Sequence, residues 1–545
     1  MDIAGDSNGE LEKKLWGTAE KLRGPVDPSE YKDYTLGLLF LKKMSEAFDE
    51  RRQELEEKTR DPDSAYYVED EEEREYILTD KDEYTRENVF YIPEEARWDY
   101  LVNNATDPQI GQEIDEAMRA VEEENPRLKG MLPKGFSRST LPHDSLEGLI
   151  NLFADLDPSD VEHGESQQKD EDILSYVDEN GEKREDNDIF GRVYEFFIKK
   201  FAMEGGQKGG EFYTPKSVVE LLVEILDPYE GRIFDPFCGS GGMFVQSHKF
   251  LRNHGGDADQ ISIYGQEIKE STWRICKMNL YLRGLDGNIK LGDSIRDDQH
   301  KGLGADYVLT NPPFNMEDWG KSAVADDDPR FKYGMPPANN ANYAFIQHIV
   351  HHLDENGMAA TVMANGSLSV QGTEGDIRQQ IIEEDLLDAV ITLPEELFYT
   401  TPIPVCIWVL TNEKASDIYR DRKGETLFID ASDFYKEVDR TLNKLARSHI
   451  EKIANVVRAY RGEDGAGEYE DIEGFCAVKT TEEISEHDWV ITPGRFVGVV
   501  DDDSTTEPLD VRMNRLSNEL AEEFRRSEQL ESEIRENLED LGYGL

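Results

Sequence analysis

The hydrophobic pattern of this 545-residue chain changes character twice along its length. Up to about residue 180 it is mostly helical, with a strongly apolar patch at Leu36-Gly37-Leu38-Leu39-Phe40-Leu41, and polar stretches around Asp61 and Ser166 read as loops. Short apolar runs then alternate with amphipathic ones. Runs at 232–234, 261–267, 289–293, 305–310, 358–363, 387–392 and 406–410 predict strands, and 217–226, 243–251 and 343–353 predict helices. Such alternation implies an α/β fold, a mostly parallel twisted sheet with helices on both faces. Residues 440–460 predict one amphipathic helix, basic for this chain, before a Gly/Asp/Glu-rich link at 462–471. Beyond Pro508, Leu509, Met513, Leu516, Leu520, Phe524, Leu530, Ile534, Leu538 and Leu541 recur mostly at spacings of three and four, a long helix with one apolar stripe. Its acidic polar face favours pairing with helices of another subunit over folding back.

Two turns carry chemistry. Asp235-Pro236-Phe237-Cys238-Gly239-Ser240-Gly241-Gly242 joins the strand at 232–234 to the helix at 243–251, and Asn311-Pro312-Pro313-Phe314 ends the strand at 305–310. Each alone is an ordinary turn. Their order places both at strand carboxyl ends, where open α/β sheets bind ligands. Together they suggest methyl transfer from S-adenosylmethionine to an exocyclic amino nitrogen. That nitrogen is a poor nucleophile, because its lone pair is conjugated into a ring or carbonyl. A side-chain amide oxygen and a proline-flanked main-chain carbonyl, aimed at its two hydrogens, draw it toward a tetrahedral form. Proline suits the position because it fixes φ and has no competing N–H. The aromatic ring of Phe314 offers a stacking face for a displaced base. Between the turns, the strand at 261–267 ends in Glu267, where a dinucleotide fold holds ribose hydroxyls. The next strand ends in Asp293, placed to accept from an adenine amino group. A Gly-x-Gly-x-x-Gly fingerprint and a Gly-Lys-Ser/Thr phosphate loop are both missing, which argues against nicotinamide and ATPase chemistry.

Upstream stands Gly209-Gly210-Glu211-Phe212-Tyr213-Thr214-Pro215-Lys216. With this run before the two turns, the chain resembles N6-adenine DNA methyltransferases whose motifs follow the gamma order. More narrowly, it resembles the modification subunits of type I restriction–modification systems. The helical stretch 15–51, Asp188-Ile189-Phe190-Gly191-Arg192-Val193-Tyr194-Glu195, Leu393-Pro394-Glu395-Glu396-Leu397-Phe398 and Thr492-Pro493-Gly494-Arg495-Phe496-Val497 extend the resemblance over nearly the whole chain. It implies a Rossmann-like S-adenosylmethionine-dependent methyltransferase. Glu211, Phe212, Tyr213, Thr214, Pro215 and Lys216 would lie against the methionine end of the cofactor, with Tyr213 and Thr214 in direct contact. Gly239, Ser240 and Gly241 would admit it closely to the backbone. Asp235 would sit near its amino group, Glu267 on the ribose and Asp293 near the adenine. Asn311 would be the catalytic amide and Pro312 the source of the carbonyl, with Pro313 completing the turn. Phe314 stands where many relatives have tyrosine; stacking needs only the ring. Cys238 reads as a packing residue, since direct transfer needs no covalent intermediate.

The resemblance implies four parts: a helical N-terminal domain (1–180) for docking or DNA clamping, the catalytic domain (181–435), a helical extension and linker (436–503), and an assembly helix (504–545). Implied partners are duplex DNA, a specificity subunit that reads the sequence, a second copy of the chain and, in complete systems, a restriction subunit. Two alternatives stay open. In a self-sufficient enzyme the chain would need a second sequence-reading domain of ~100–200 residues, for which no stretch is left. Protein glutamine-amide methyltransferases share Asn-Pro-Pro-aromatic but lack the 211–215 run in this form. Cytosine-N4 enzymes share the turn too, so adenine N6 rests on the gamma-order resemblance.

Charge complicates this picture. Asp and Glu number 117 against 60 Lys and Arg, a net charge of −57, where a DNA enzyme normally shows a basic face. One account is an organism with molar internal salt, in which the Debye length falls to ~3 Å and protein–DNA repulsion fades. A protein equally monodisperse in dilute buffer and concentrated KCl would count against that origin. The other is a partner that supplies the DNA contacts. Cys238, Cys276, Cys406 and Cys476 have no C-x-x-C spacing, so neither disulfides nor zinc are expected. His348, His351 and His352 read as a helix surface. The first residues are polar and acidic and no apolar stretch reaches the ~18 residues of a membrane span, so a cytoplasmic protein is expected. Residues 315–342, with Trp319, Lys321, Arg330, Lys332 and Tyr333 but no periodicity, read either as a lid over a displaced base or as a flexible surface loop.

Overall fold

A computed structural model of the chain describes residues 10–23, 26–138, 141–156, 175–177, 183–185, 189–205, 214–253, 260–398, 403–415, 419–439, 442–498 and 525. Glu211, Phe212 and Tyr213 lie outside the described residues, as does the expected terminal helix at 509–541 apart from Arg525.

The C-terminal half is built on nine strands: β1 (Gly231–Asp235), β2 (Ile261–Glu267), β3 (Gly287–Leu291), β4 (Ala305–Thr310), β5 (Leu353–Ala364), β6 (Leu387–Thr392), β7 (Val405–Thr411), β8 (Glu425–Asp430) and β9 (Cys476–Thr480). They lie in the order β9-β8-β6-β7-β5-β4-β1-β2-β3. Strands β5, β4, β1, β2 and β3 are mutually parallel, as are β6 and β8, whereas β7 is antiparallel to both its neighbours and β9 is an antiparallel edge. Every residue of β6 and β7 is buried, as expected of continuous apolar runs covered on both faces.

Strands β4 and β6 coincide with the expected 305–310 and 387–392. Strand β3 starts and ends two residues earlier than expected, at Gly287 and Leu291, and Gly292 N–H still donates to Glu267 O of β2 at 2.9 Å. The helix expected at 440–460 covers only Arg447–Arg461. Before it, Lys436–Asp439 and Leu442–Lys444 form an antiparallel hairpin, tied by Asn443 N–H to Glu396 O at 2.8 Å. That distant contact overrides local helical pattern. Strand β9 lies in a segment where only helix and linker were expected.

In the N-terminal half, helices α1 (Glu10–Arg23) and α2 (Pro28–Arg60) pack with α3 (Ile189–Gly205). Trp16 meets Phe197 and Phe201 edge-on at 5.5 and 4.9 Å. This core continues into Ile275 and Met278 of α4 (Glu270–Tyr281), the helix after β2. The described residues up to Val497 therefore form one compact unit. None of their helices is long and apolar enough to cross a membrane.

Candidate active site

Strand β1 lies between β4 and β2, so the connections leaving its carboxyl end diverge and open a crevice there. The glycine turn lines that crevice. Gly239 takes φ +52° and a Cβ there would meet open space, whereas Gly241 takes φ +81° and a Cβ would come 2.9 Å from Cys276 Sγ. Gly239 thus leaves room for a ligand, and Gly241 lets the turn pack on α4. Asn279 of α4 donates to Ser240 O at 2.8 Å, holding the turn from behind. Cys238 is buried 3.9 Å from Cys276 Sγ and serves as packing.

Glu267 ends β2 and clamps this wall: Oε2 accepts from Gly239 N–H at 3.1 Å and Oε1 from Lys269 N–H at 2.8 Å. Asp293 follows β3 and accepts from Ile295 and Arg296 N–H at 2.9 and 3.0 Å. A cavity of about 580 Å³ spans Gly239, Ser240, Glu267, Asp293, Asn311, Pro313 and Phe314. A chamber of about 80 Å³ shares Gly239, Ser240 and Asn311 and reaches Thr214, Lys216 and Asp235. Of the described candidates, Pro215, Gly241 and Pro312 line neither of these adjoining spaces, and the others line one or both. Pro215 is the N-cap of the helix Lys216–Leu226.

Asn311 is the most telling residue. Its Nδ2 donates to Thr214 Oγ1 at 2.9 Å, which fixes the amide and leaves Oδ1 as a buried acceptor without a partner. Leaving such a group unpaired costs about 1–3 kcal/mol. Phe314, buried, meets Phe398 edge-on at 5.7 Å. Asp235 is fully enclosed, accepting from Thr310 Oγ1 at 2.6 Å and Phe237 N–H at 3.0 Å. Burial, with the Glu267 charge adding to it, pushes its carboxyl up to about 7.

These turns and this sheet match one family. The N-6 DNA Methylase family profile covers residues 185–504. The chain belongs to the N-6 DNA methylase family. A second profile, the HsdM N-terminal domain, covers residues 11–153. This N-6 DNA methylase is 40% identical over 541 residues to the type I restriction enzyme MjaIX methylase subunit of Methanocaldococcus jannaschii, covering 98% of this chain and 92% of that one. It is 40% identical over 469 residues to the HindI methylase subunit of Haemophilus influenzae, covering 83% and 100%. The solved methyltransferase subunit of a type I restriction–modification system from Streptococcus thermophilus superposes with a TM-score of 0.72 at 26% identity, covering 90% and 100%.

Two expectations about this methylase need correction. His348 and His352 are buried, not on a helix surface, because the helix Asn342–His352 is packed between the sheet and residues 315–342. His352 Nε2 lies 3.0 Å from Asp298 Oδ2, and Arg330 Nη1 donates to His348 Nδ1 at 3.4 Å. His348 Nε2 is buried without a hydrogen-bond partner among the described residues. The 315–342 segment is a folded wall and not a loose loop. Trp319 and Phe331 form a small core with Ile295 and Phe345, Trp319 Nε1 donates to Pro337 O at 2.8 Å, and Arg330 Nη2 to Ile295 O at 2.8 Å. Trp319 and Met316 line the larger cavity.

Sequence reading missed Thr310, Asn279, Ile268 and Phe398. Thr310 adjoins the Asn-Pro-Pro-Phe turn, and Ile268, which lines the cavity, follows Glu267, so adjacency was an available signal. Asn279 and Phe398 reach the site only through long-range packing.

Proposed function

We propose that the chain is the methyltransferase subunit of a type I restriction–modification complex, transferring a methyl group to N6 of adenine in a specific duplex DNA sequence. The observation that carries this reading is the fixed amide of Asn311, a residue that lines the cavity and whose buried Oδ1 is unpaired. An adenine N6–H would satisfy that acceptor, with the Pro312 carbonyl as the second. Both bonds draw the amino lone pair out of conjugation, and Phe314 supports the displaced base. S-adenosylmethionine, when bound, supplies an electrophilic methyl group on a sulfonium sulfur. Glu267 would accept from the ribose hydroxyls, Asp293 would hold the adenine end, and Asp235, Thr214 and Lys216 would hold the methionine end. Ionised Asp235 would pair with the cofactor's ammonium. The walls of Trp319, Phe345 and Ile295 keep the larger cavity largely apolar, which favours exclusion of water from the reacting atoms.

The 40% identity to named type I methylase subunits supports assembly with a specificity subunit, a second copy of this chain and a restriction subunit. We assign 1–180 to docking or DNA clamping, 181–435 to catalysis, and the segments 436–503 and 504–545 to extension and assembly. The cytoplasm, where its DNA lies, is the compartment this reading requires.

Base-resolved methylation mapping of host DNA, comparing wild type with Asn311→Ala, tests the reading. Loss of N6-methyladenine at a split, two-part motif supports it and yields the target sequence. Unchanged DNA methylation overturns it. Deleting residues 508–545 should leave cofactor binding intact and abolish assembly; assembly retained after that deletion would remove the role given to this segment.

A further inference from the structure

The hairpin Lys436–Asp439/Leu442–Lys444 opposes two like charges. Lys436 and Lys444 are direct cross-strand partners, as are Glu437 and Asn443. Cross-strand partners share one face of a strand pair, and like charges set opposite each other destabilise it. Neither lysine has an ion-pair partner among the described residues, in a chain whose net charge is −57. Asn443 Nδ2 donates to Glu395 O at 3.0 Å and anchors the hairpin, while Lys436 is exposed and Lys444 half-buried. Tyr435 and Val438 are 49% and 51% exposed beside it.

The hairpin is also stiffly mounted. At its base Phe434 stacks on Phe475 at 4.9 Å, and Leu445 N–H donates to Ser217 Oγ at 3.4 Å, at the start of the helix that carries Lys216. Asn443 grips Glu395 and Glu396, and two residues on Phe398 meets the catalytic-turn ring of Phe314 at 5.7 Å. The lysine pair is thus fixed relative to the turn that would hold the displaced base.

We propose that this hairpin is a DNA-backbone clamp: Lys436 and Lys444 together engage phosphate of the duplex flanking the target adenine. The two ammonium groups, mutually repulsive in the free protein, become mutually compatible around an anion. The proposal rests on the DNA methyltransferase reading above and adds a contact surface that the catalytic turn does not supply. It gives this acidic chain a DNA-facing point of its own beside whatever its partner provides.

The test uses the whole complex purified from its host, as wild type, as Lys436→Gln/Lys444→Gln, and as Lys436→Arg/Lys444→Arg. Binding to a labelled duplex is measured across salt concentrations, alongside S-adenosylmethionine affinity and subunit assembly. The glutamine pair should weaken DNA binding and flatten the slope of log K against log salt by about 1–2. Cofactor affinity and assembly should stay unchanged, and the arginine pair should restore the slope. A wild-type slope in the glutamine pair overturns the clamp. So does loss of a partner subunit in that variant, which would assign the face to a protein contact. A wild-type complex that neither binds nor methylates any duplex overturns the methyltransferase reading and the clamp with it, a failure seen before any variant is compared.

Discussion

Asp235 and Asp388 are both fully buried aspartates of the same sheet, one at the carboxyl end of β1 and the other near the amino end of β6, yet their charge states diverge. Asp388 receives Arg422 Nε at 3.1 Å on one oxygen and Arg461 Nε at 3.4 Å on the other. Burial alone would raise its pKa, but these two guanidiniums and Lys414 hold it below the ordinary carboxylate range. Asp235 has only the Thr310 hydroxyl and one backbone N–H, and burial pushes it up to about 7. At the amino edge the fold brings its own counter-charges. At the carboxyl edge it leaves a carboxyl and an amide oxygen incompletely satisfied, and those are the groups a charged cofactor and an amino substrate would complete.

The largest expected effect falls on the site. Asn311→Ala removes an acceptor that strengthens only as the amino group becomes tetrahedral, so methyl transfer should drop by roughly 10²–10³-fold or more. Cofactor binding, read by calorimetry, should change little. Comparable turnover in this variant would show that the unpaired oxygen is incidental. Next comes Asp388→Ala, which strands two buried guanidiniums; thermal or urea unfolding should show a loss of about 3–5 kcal/mol. A loss well under 1 kcal/mol would mean that water reaches the pair.

Asp235→Asn sharpens the contrast through pH. A folded-state pKa raised above the unfolded one means that the fold prefers the neutral carboxyl. Wild-type stability should therefore decline as pH rises from about 4 through about 7 and level off above, relative to Asp235→Asn, by a few kcal/mol at most. Asp388 runs the other way: its contribution is present above about pH 4 and is lost as pH falls toward its depressed pKa. Cofactor affinity of the wild type should also weaken below about pH 7, as Asp235 takes up its proton. In Asp235→Asn it should be weaker at pH 8 and nearly independent of pH. Identical profiles for the two proteins would remove Asp235 from the ammonium site. The smallest effect belongs to Asp306→Ala. Its partner Arg232 lies 3.0 Å away, with both side chains more than a third exposed. Solvent screening limits the loss to less than about 1 kcal/mol, shrinking further as KCl is added.

Much of the site was legible because it resides in contiguous turns. Asn311 to Phe314, Gly239 to Gly241, Glu267 and Asp293 sit at strand ends that alternating apolar runs mark out. Their spacing says what chemistry fits. Residues acting across the chain were not legible. Asn279 steadies Ser240 from 39 positions away, and Thr214 fixes Asn311 from 97. The histidines misled for the same reason: a helix with polar residues on several sides reads as exposed until a folded loop covers it. The hairpin at 436–444 displaced part of an expected helix because its pairing depends on Glu395 and Glu396, some 48 positions upstream.

Local pattern by itself determined the parallel α/β core, the two ligand-facing turns and the acidity of the chain, since period, turn chemistry and net charge are properties of neighbouring residues or of composition. Tertiary structure alone decided which buried acid is neutralised and which is left for a ligand. It also decided which amide oxygen stays unpaired and which lysines face one another. Those properties depend on the dielectric and the partners around a group, and folding assembles both from distant parts of the chain.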